Sequence, residues 1–257
     1  CSKKLLLYST TLTPASENIL LDILKSLSHL SLVLIYETTL SIPDCIIIPA
    51  RIKSLRLRKK LLKNIAGLPM IVRVAKNAES LKIGRVIVGT DSLEIFNVCR
   101  NEGIETIITK RKHESGTDRV QEVFEVVAKD YDLIANLQGD LPIFNKDLFS
   151  KTISLFSDSS VDIGSAVCEL DNKEMDNQNI VKAKVFLDKN DIGFAEDFKR
   201  IIKRKKDHYH HIGMYIYRPS ILEKFVKLKQ SKKEKERKLE QMRALENKIN
   251  IKLVKIS

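Results

Sequence analysis

CIIIPA, residues 45–50, is an unbroken apolar run that ends at a proline and opens onto a basic loop. A run this short, with no polar alternation, suits a strand buried on both faces, the habit of parallel sheets. The pattern then continues. PMIVRVAKNAES (69–80) carries apolar residues at helical spacing, with Pro69 at a favourable first position, and RVIVGT (85–90) reads as a second strand. Ser92 caps the helix SLEIFNVCRNE and Gly103 stops it. IETIIT (104–109) is a third strand, TDRVQEVFEVVAK (117–129) a helix, and DLIANL (132–137) a fourth strand that ends at QGDLP. Strand, helix and strand in short alternation predict an α/β fold, a mostly parallel central sheet flanked by helices.

Further on, VDIGSAV (161–167), NIVKAKVFLD (179–188) and HIGMYIYR (211–218) are strand-like. PSILEKFVKL (219–228) and the charged region Glu234–Glu246 read as helices, and INIKLVKI (249–256) as a closing strand. Residues 1–44 are Leu/Ser/Thr-rich and form an unassigned leader, in which Ser16 is placed to cap a helix from about Glu17 to Leu30. The domain proper is expected over 45–257. The sequence begins at Cys1 and not Met, which reads as a fragment.

With 257 residues, 43% hydrophobic and 30% charged, the chain can fill one large core and is not a disordered polymer. No uncharged run reaches the roughly 18–20 residues of a membrane span, so membrane insertion is not expected. Cys1, Cys45, Cys99 and Cys168 are scattered without a C-x-x-C pair. They support neither a disulfide framework nor a zinc site, and they fit a reducing, cytoplasmic compartment. The net charge of +12 is concentrated late: residues 199–257 hold 19 Lys/Arg against 6 Asp/Glu. Such a region attracts anions. Yet KQSKKEKERKLEQ (229–241) mixes acids with bases and has no aromatic residues, which argues for a solvated helix face and against a nucleic-acid partner.

The chemistry-bearing residues follow the strands, where open α/β sheets bind ligands. After the first strand, Arg51, Arg56 and Lys60 crowd one loop, an arrangement that phosphate would relieve. Thr90-Asp91 follows the second strand, SGTDR (115–119) the third, and QGD (138–140) the fourth. Asp140 beside a polyphosphate is a typical Mg²⁺ ligand. There is neither a P-loop nor a dinucleotide fingerprint. His208, His210 and His211 cluster as HYHH without an acidic or cysteine partner at ligand spacing, and are read as loop histidines with one substrate contact.

Taken in order, IIIPAR..S.R, GLPMI, VGTD, SGTDR, NLQGDLP, HHIGMYIYR and KLEQMRALE resemble the 3-deoxy-manno-octulosonate (Kdo) cytidylyltransferase family from Cys45 onward. The resemblance implies a glycosyltransferase-A-like nucleotidyltransferase, usually a homodimer, with CTP and Kdo as substrates and Mg²⁺ as cofactor. It makes Arg51, Lys60 and Asp140 catalytic, with Asp140 on the metal. It places Arg51, Ser54, Arg56, Lys60, Thr90, Asp91, Ser115, Gly116, Thr117, Arg119 and Gln138 around the nucleotide, and Arg200, His211, Tyr215, Glu240 and Gln241 around the sugar. Three departures stand out. Arg58-Lys59 replaces a Pro-Gly before the loop lysine, and AEDFKR (195–200) replaces a more aromatic stretch. A family V-D-T-x-x-D segment holding a second metal ligand is expected beyond Ser257. A cytidylyltransferase for a nine-carbon acidic sugar, a nucleic-acid-binding scaffold and an inactive remnant remain as alternatives.

Overall fold

The computed structural model describes residues 45–52, 59–110, 113–127 and 131–256. The leader with its Ser16 helix, and the loop residues Ser54 and Arg56, lie outside them. Contacts join the described residues into one unit. The central sheet begins with β1 (Cys45–Ala50), β4 (Arg85–Thr90), β5 (Thr106–Ile108) and β6 (Ile134–Leu137), all parallel, in the order β5-β4-β1-β6. Between β1 and β4 lie a 3-10 turn (Lys60–Leu62), a two-residue hairpin of β2 (Asn64–Ile65) and β3 (Leu68–Pro69), and α1 (Met70–Ser80). Pro69 closes β3 and serves as the N-cap of α1, one position earlier than the first helical turn.

β1 shows why the chain folds this way. Its apolar run alternates between two cores. Ile46, Ile48 and Ala50 face α1, α2 (Leu93–Asn101) and α4 (Lys146–Ser154), while Cys45 and Ile47 face α3 (Gly116–Val127) and α5 (Pro219–Lys227). Both faces are covered, so each residue in the strand can be apolar. Ser92 Oγ accepts from the Ile95 amide at 3.4 Å, and Gly103 turns with φ +77 after the helix ends, as their residue types predict.

The second half of the sheet is mixed. β10 (His208–Tyr217) enters antiparallel between β6 and β7 (Ile163–Cys168). β11 (Ile251–Lys255) runs parallel to β7 and antiparallel to β9 (Ile192–Lys199), which pairs with β8 (Lys182–Val185). The start of β10 also pairs with β8, so β7, β11, β9, β8 and β10 close into a ring beside the parallel strands. His208, His210 and His211 are thus strand residues and not loop residues; their backbone groups are used by β7 and β8. The charged C-terminal helix reads as two short ones, α6 (Lys232–Arg237) and α7 (Gln241–Glu246), separated where Lys238 turns left-handed at φ +54.

Candidate active site

The carboxyl ends of β1, β4 and β6 deliver Arg51, Asp91 and Gln138 to one side of the sheet. There, a cavity of about 840 Å³ runs from the parallel strands to the ring. Arg51, Lys60, Thr117, Gln138 and Asp140 line it together with Arg200, His211, Tyr215, Glu240 and Gln241. Ser115 and Gly116 sit in an adjoining recess of about 420 Å³ that shares Arg51 and Glu240 with the first. They open α3, whose N-terminal dipole favours an anion there.

Lys60 and Asp140 form an ion pair at 2.6 Å. At Gly139, just before Asp140, the turn lies close against β1: a Cβ there would lie 3.2 Å from Ile71 Cδ1 and 3.4 Å from the Pro49 carbonyl, a tight fit to which the Ile71 side chain would have to yield. The two side chains are 36% and 44% exposed. A pair so exposed is worth under about 1 kcal/mol, and it can be exchanged for phosphate on the lysine and a cation on the carboxylate. Lys59, where the family has glycine, takes the left-handed conformation at φ +54 and is tied to Glu94 by an ion pair at 2.7 Å.

Thr90, Asp91 and Arg119 do not line either space. Arg119 is 3% exposed, pairs with Asp91 at 3.3 Å and hydrogen-bonds to Thr109. Thr90 is buried, and its Oγ1 accepts from the Ser92 amide at 3.2 Å. A guanidinium already paired and desolvated holds the strand ends in place, and the motif SGTDR gives no hint that its last residue points inward. Arg200 lines the cavity, but its guanidinium donates to the carbonyls of Gln178 at 2.9 Å, Lys238 at 3.0 Å and Arg237 at 3.4 Å. It staples the approach to Glu240 and Gln241. Beneath it, the wholly buried Lys182 donates to the carbonyls of Asn177, Ile180 and Arg200, at 2.5 to 3.0 Å. Nothing in the local sequence marks Lys182 as buried.

Titratable groups on the ring side are strongly perturbed. Burial, reinforced by the neighbouring His210, pushes the His211 imidazole down to about 3, so it is neutral at physiological pH. Burial raises the Tyr215 hydroxyl well above its ordinary value, with Tyr217 and Glu240 adding to the effect. Glu240 is pushed up by burial; the Thr117 and Ser115 hydroxyls and Arg243 partly offset this, and Asp118 adds to it. Its Oε1 is buried without a partner. A buried carboxylate oxygen with no donor costs stability.

The sign of that cost gives a prediction. With a folded-state pKa above the ordinary 4.5, the folded protein binds its proton more tightly than the unfolded chain. Stability contributed by the neutral form is full below the ordinary pKa and is lost as pH rises through the elevated one. Glu240→Gln should therefore raise the melting temperature at neutral pH and flatten its decline above pH 4.5. Thermal denaturation of both proteins across this range checks it; a lower melting temperature for the variant at neutral pH would contradict it.

A cytidylyltransferase family profile matches residues 45–252. The chain belongs to the cytidylyltransferase family. A 3-deoxy-manno-octulosonate cytidylyltransferase from Brucella anthropi is 42% identical over 217 residues, 81% of this chain and 87% of that protein. A solved structure of CMP:2-keto-3-deoxy-manno-octonic acid synthetase complexed with CTP superposes with a TM-score of 0.72 at 31% identity, covering 83% of this chain and 90% of that one. A UDP-glucose pyrophosphorylase complexed with UDP-glucose shares the fold at 13% identity, with a TM-score of 0.58 over 84% of this chain and 91% of that one. Together these place the chain in the α/β nucleotidyltransferase fold.

Proposed function

We infer that this cytidylyltransferase transfers CMP from CTP to Kdo, releasing pyrophosphate and providing CMP-Kdo for lipopolysaccharide biosynthesis. The observation that carries the reading is one continuous cavity lined both by the strand-end cations Arg51 and Lys60 and by the polar groups His211, Tyr215, Glu240 and Gln241. The anomeric hydroxyl of Kdo attacks the α-phosphorus of CTP; the new O–P bond forms as the bond to pyrophosphate breaks. The protein's work is to position the two reactants and to balance charge. Arg51 and Lys60 neutralise phosphate, and Gln138 faces the nucleotide. His211, Tyr215, Glu240 and Gln241 hold the sugar hydroxyls.

Asp140 is the residue that would hold Mg²⁺. Among the described residues no group of three His, Cys, Asp or Glu side chains is arranged to hold a metal. One accessible carboxylate next to a phosphate site still fits this ion, which takes one or two carboxylates and completes its shell with phosphate oxygens and water. When bound, Mg²⁺ would neutralise charge on the departing pyrophosphate. The reading includes a homodimer in the cytoplasm. No described helix is long and apolar enough to cross a membrane.

The test is a substrate panel. The purified protein with CTP and Mg²⁺ should release pyrophosphate with Kdo and not with a nine-carbon sialic-acid-like acid, and CTP should raise its melting temperature more than ATP, GTP or UTP. Pyrophosphate release with the nine-carbon acid alone, or equal shifts by ATP and CTP, would overturn the assignment.

A further inference from the structure

Ser165 on β7 is wholly buried, and its hydroxyl meets three polar atoms of β10. They are the Met214 carbonyl at 2.6 Å, His211 Nε2 at 3.0 Å and the Ile212 carbonyl at 3.3 Å. The arrangement depends on an irregularity. The β7–β10 register shifts between Ile212 and Tyr215, and this bulge turns two carbonyls toward one hydroxyl. Gly213 sits in the bulge, where a Cβ would approach Gln138 Cγ at 3.3 Å.

A hydroxyl has one proton to give. If Ser165 gave it to His211, its oxygen would lie 2.6 Å from the Met214 carbonyl with no hydrogen between two acceptors. The proton therefore goes to Met214, and the same oxygen accepts from Nε2. The neutral imidazole must then carry its hydrogen on Nε2 and leave Nδ1 bare. The ring lines the cavity, packed edge-on to Phe198 at 5.1 Å and tilted against Tyr215 at 5.4 Å; turned over, it would put a ring carbon where Nε2 meets Ser165 and lose that hydrogen bond.

We propose that Ser165 is a positioning residue for sugar recognition: it locks His211 in the Nε2–H form, so that Nδ1 presents an acceptor to a hydroxyl of the acceptor sugar. This rests on the Kdo reading above. His211 thereby discriminates in favour of a hydroxyl and against a carboxylate, which a bare nitrogen would repel.

The first measurement needs no substrate. Nitrogen-15 NMR of the intact protein at neutral pH, with the His211 signals assigned through His211→Gln, should show Nε2 protonated and Nδ1 bare. A proton on Nδ1, or an imidazolium, would overturn the proposal. The second is kinetic. Ser165→Ala should raise KM for Kdo about tenfold, the scale of one lost hydrogen bond, with KM for CTP unchanged and kcat within about threefold. Ser165→Thr should restore most of the loss. Unchanged sugar KM in Ser165→Ala, or equal rises for both substrates, would reduce Ser165 to a packing residue. The two readings fail separately. An Nε2–H ring in a protein inactive on Kdo refutes the substrate and keeps the tautomer; CMP-Kdo formation with an Nδ1–H ring does the reverse.

Discussion

Replacing Arg243 with methionine is expected to destabilise this protein by about 3–5 kcal/mol, the cost of leaving one member of a buried ion pair alone. Arg243 and Glu234 are 2% and 5% exposed. The guanidinium meets the carboxylate through two bonds, Nε to Oε2 at 2.8 Å and Nη2 to Oε1 at 2.6 Å, and stacks over Phe225 at 4.9 Å. Glu234 also accepts from the Ser231 amide at 3.0 Å and so closes the capping box of α6. In Arg243→Met the carboxylate keeps its burial and loses its cation. For a chain of this size the midpoint of thermal unfolding should fall by on the order of 10 °C. Because the pair clamps α6 to α7, and the segment between them carries Lys238, Leu239 and Glu240 into the cavity, sugar KM should rise as well. Converting Glu234 to methionine in the same protein should recover most of the stability, since paired apolar replacements of buried ions are often neutral. A single variant that loses less than about 1 kcal/mol would mean that water reaches the pair.

That pair marks one limit of what the sequence discloses. KKEKER reads as a solvated helix face, and the exposed ion pair Lys232–Glu236 at 3.9 Å agrees with it. Glu234 does not: its partner lies nine residues on, across a break that local pattern cannot reveal. The parallel strands were legible because CIIIPA, RVIVGT and IANL are short apolar runs, two of them rich in β-branched residues, that end in turn residues, as strands buried on both faces do. β9 was not. IGFAEDFK holds Glu196 and Asp197, poor strand formers. They are tolerated because Lys184 pairs with Glu196 at 2.7 Å and Arg237 with Asp197, both contacts between segments distant in sequence. α4 went unread too, although Asn145 caps it by accepting from the Leu148 amide. The site divides the same way. Arg51, Lys60, Gln138 and Asp140 follow strand ends and could be placed from topology. Ser165 and Lys182 depend on which strands of the ring neighbour which, and the inward turn of Arg119 on the pairing of β4 with β5.

The largest effect on activity is expected from Asp140→Asn, which should lower the rate of pyrophosphate release by about 100-fold or more, the scale of removing one electrostatic stabiliser of the transition state. The fold should survive, since the carboxylate is 44% exposed and engages Lys60 in a surface pair. Loss of rate alone would not separate a metal ligand from any other polar contact, but the charge balance does. Without Mg²⁺, Asp140 is a negative charge beside the triphosphate and a competitor for Lys60. Its neutralisation should leave CTP binding unchanged or tighten it. If Asp140 holds Mg²⁺, the native carboxylate would turn that penalty into a gain, and with Mg²⁺ CTP should bind more tightly to the native protein than to the variant. Calorimetric titration of CTP into both proteins, with and without Mg²⁺, should therefore give affinities that cross. Parallel affinities, or pyrophosphate release that persists at ordinary Mg²⁺, would remove Asp140 from the metal and leave it only as the counter-charge that keeps Lys60 in place.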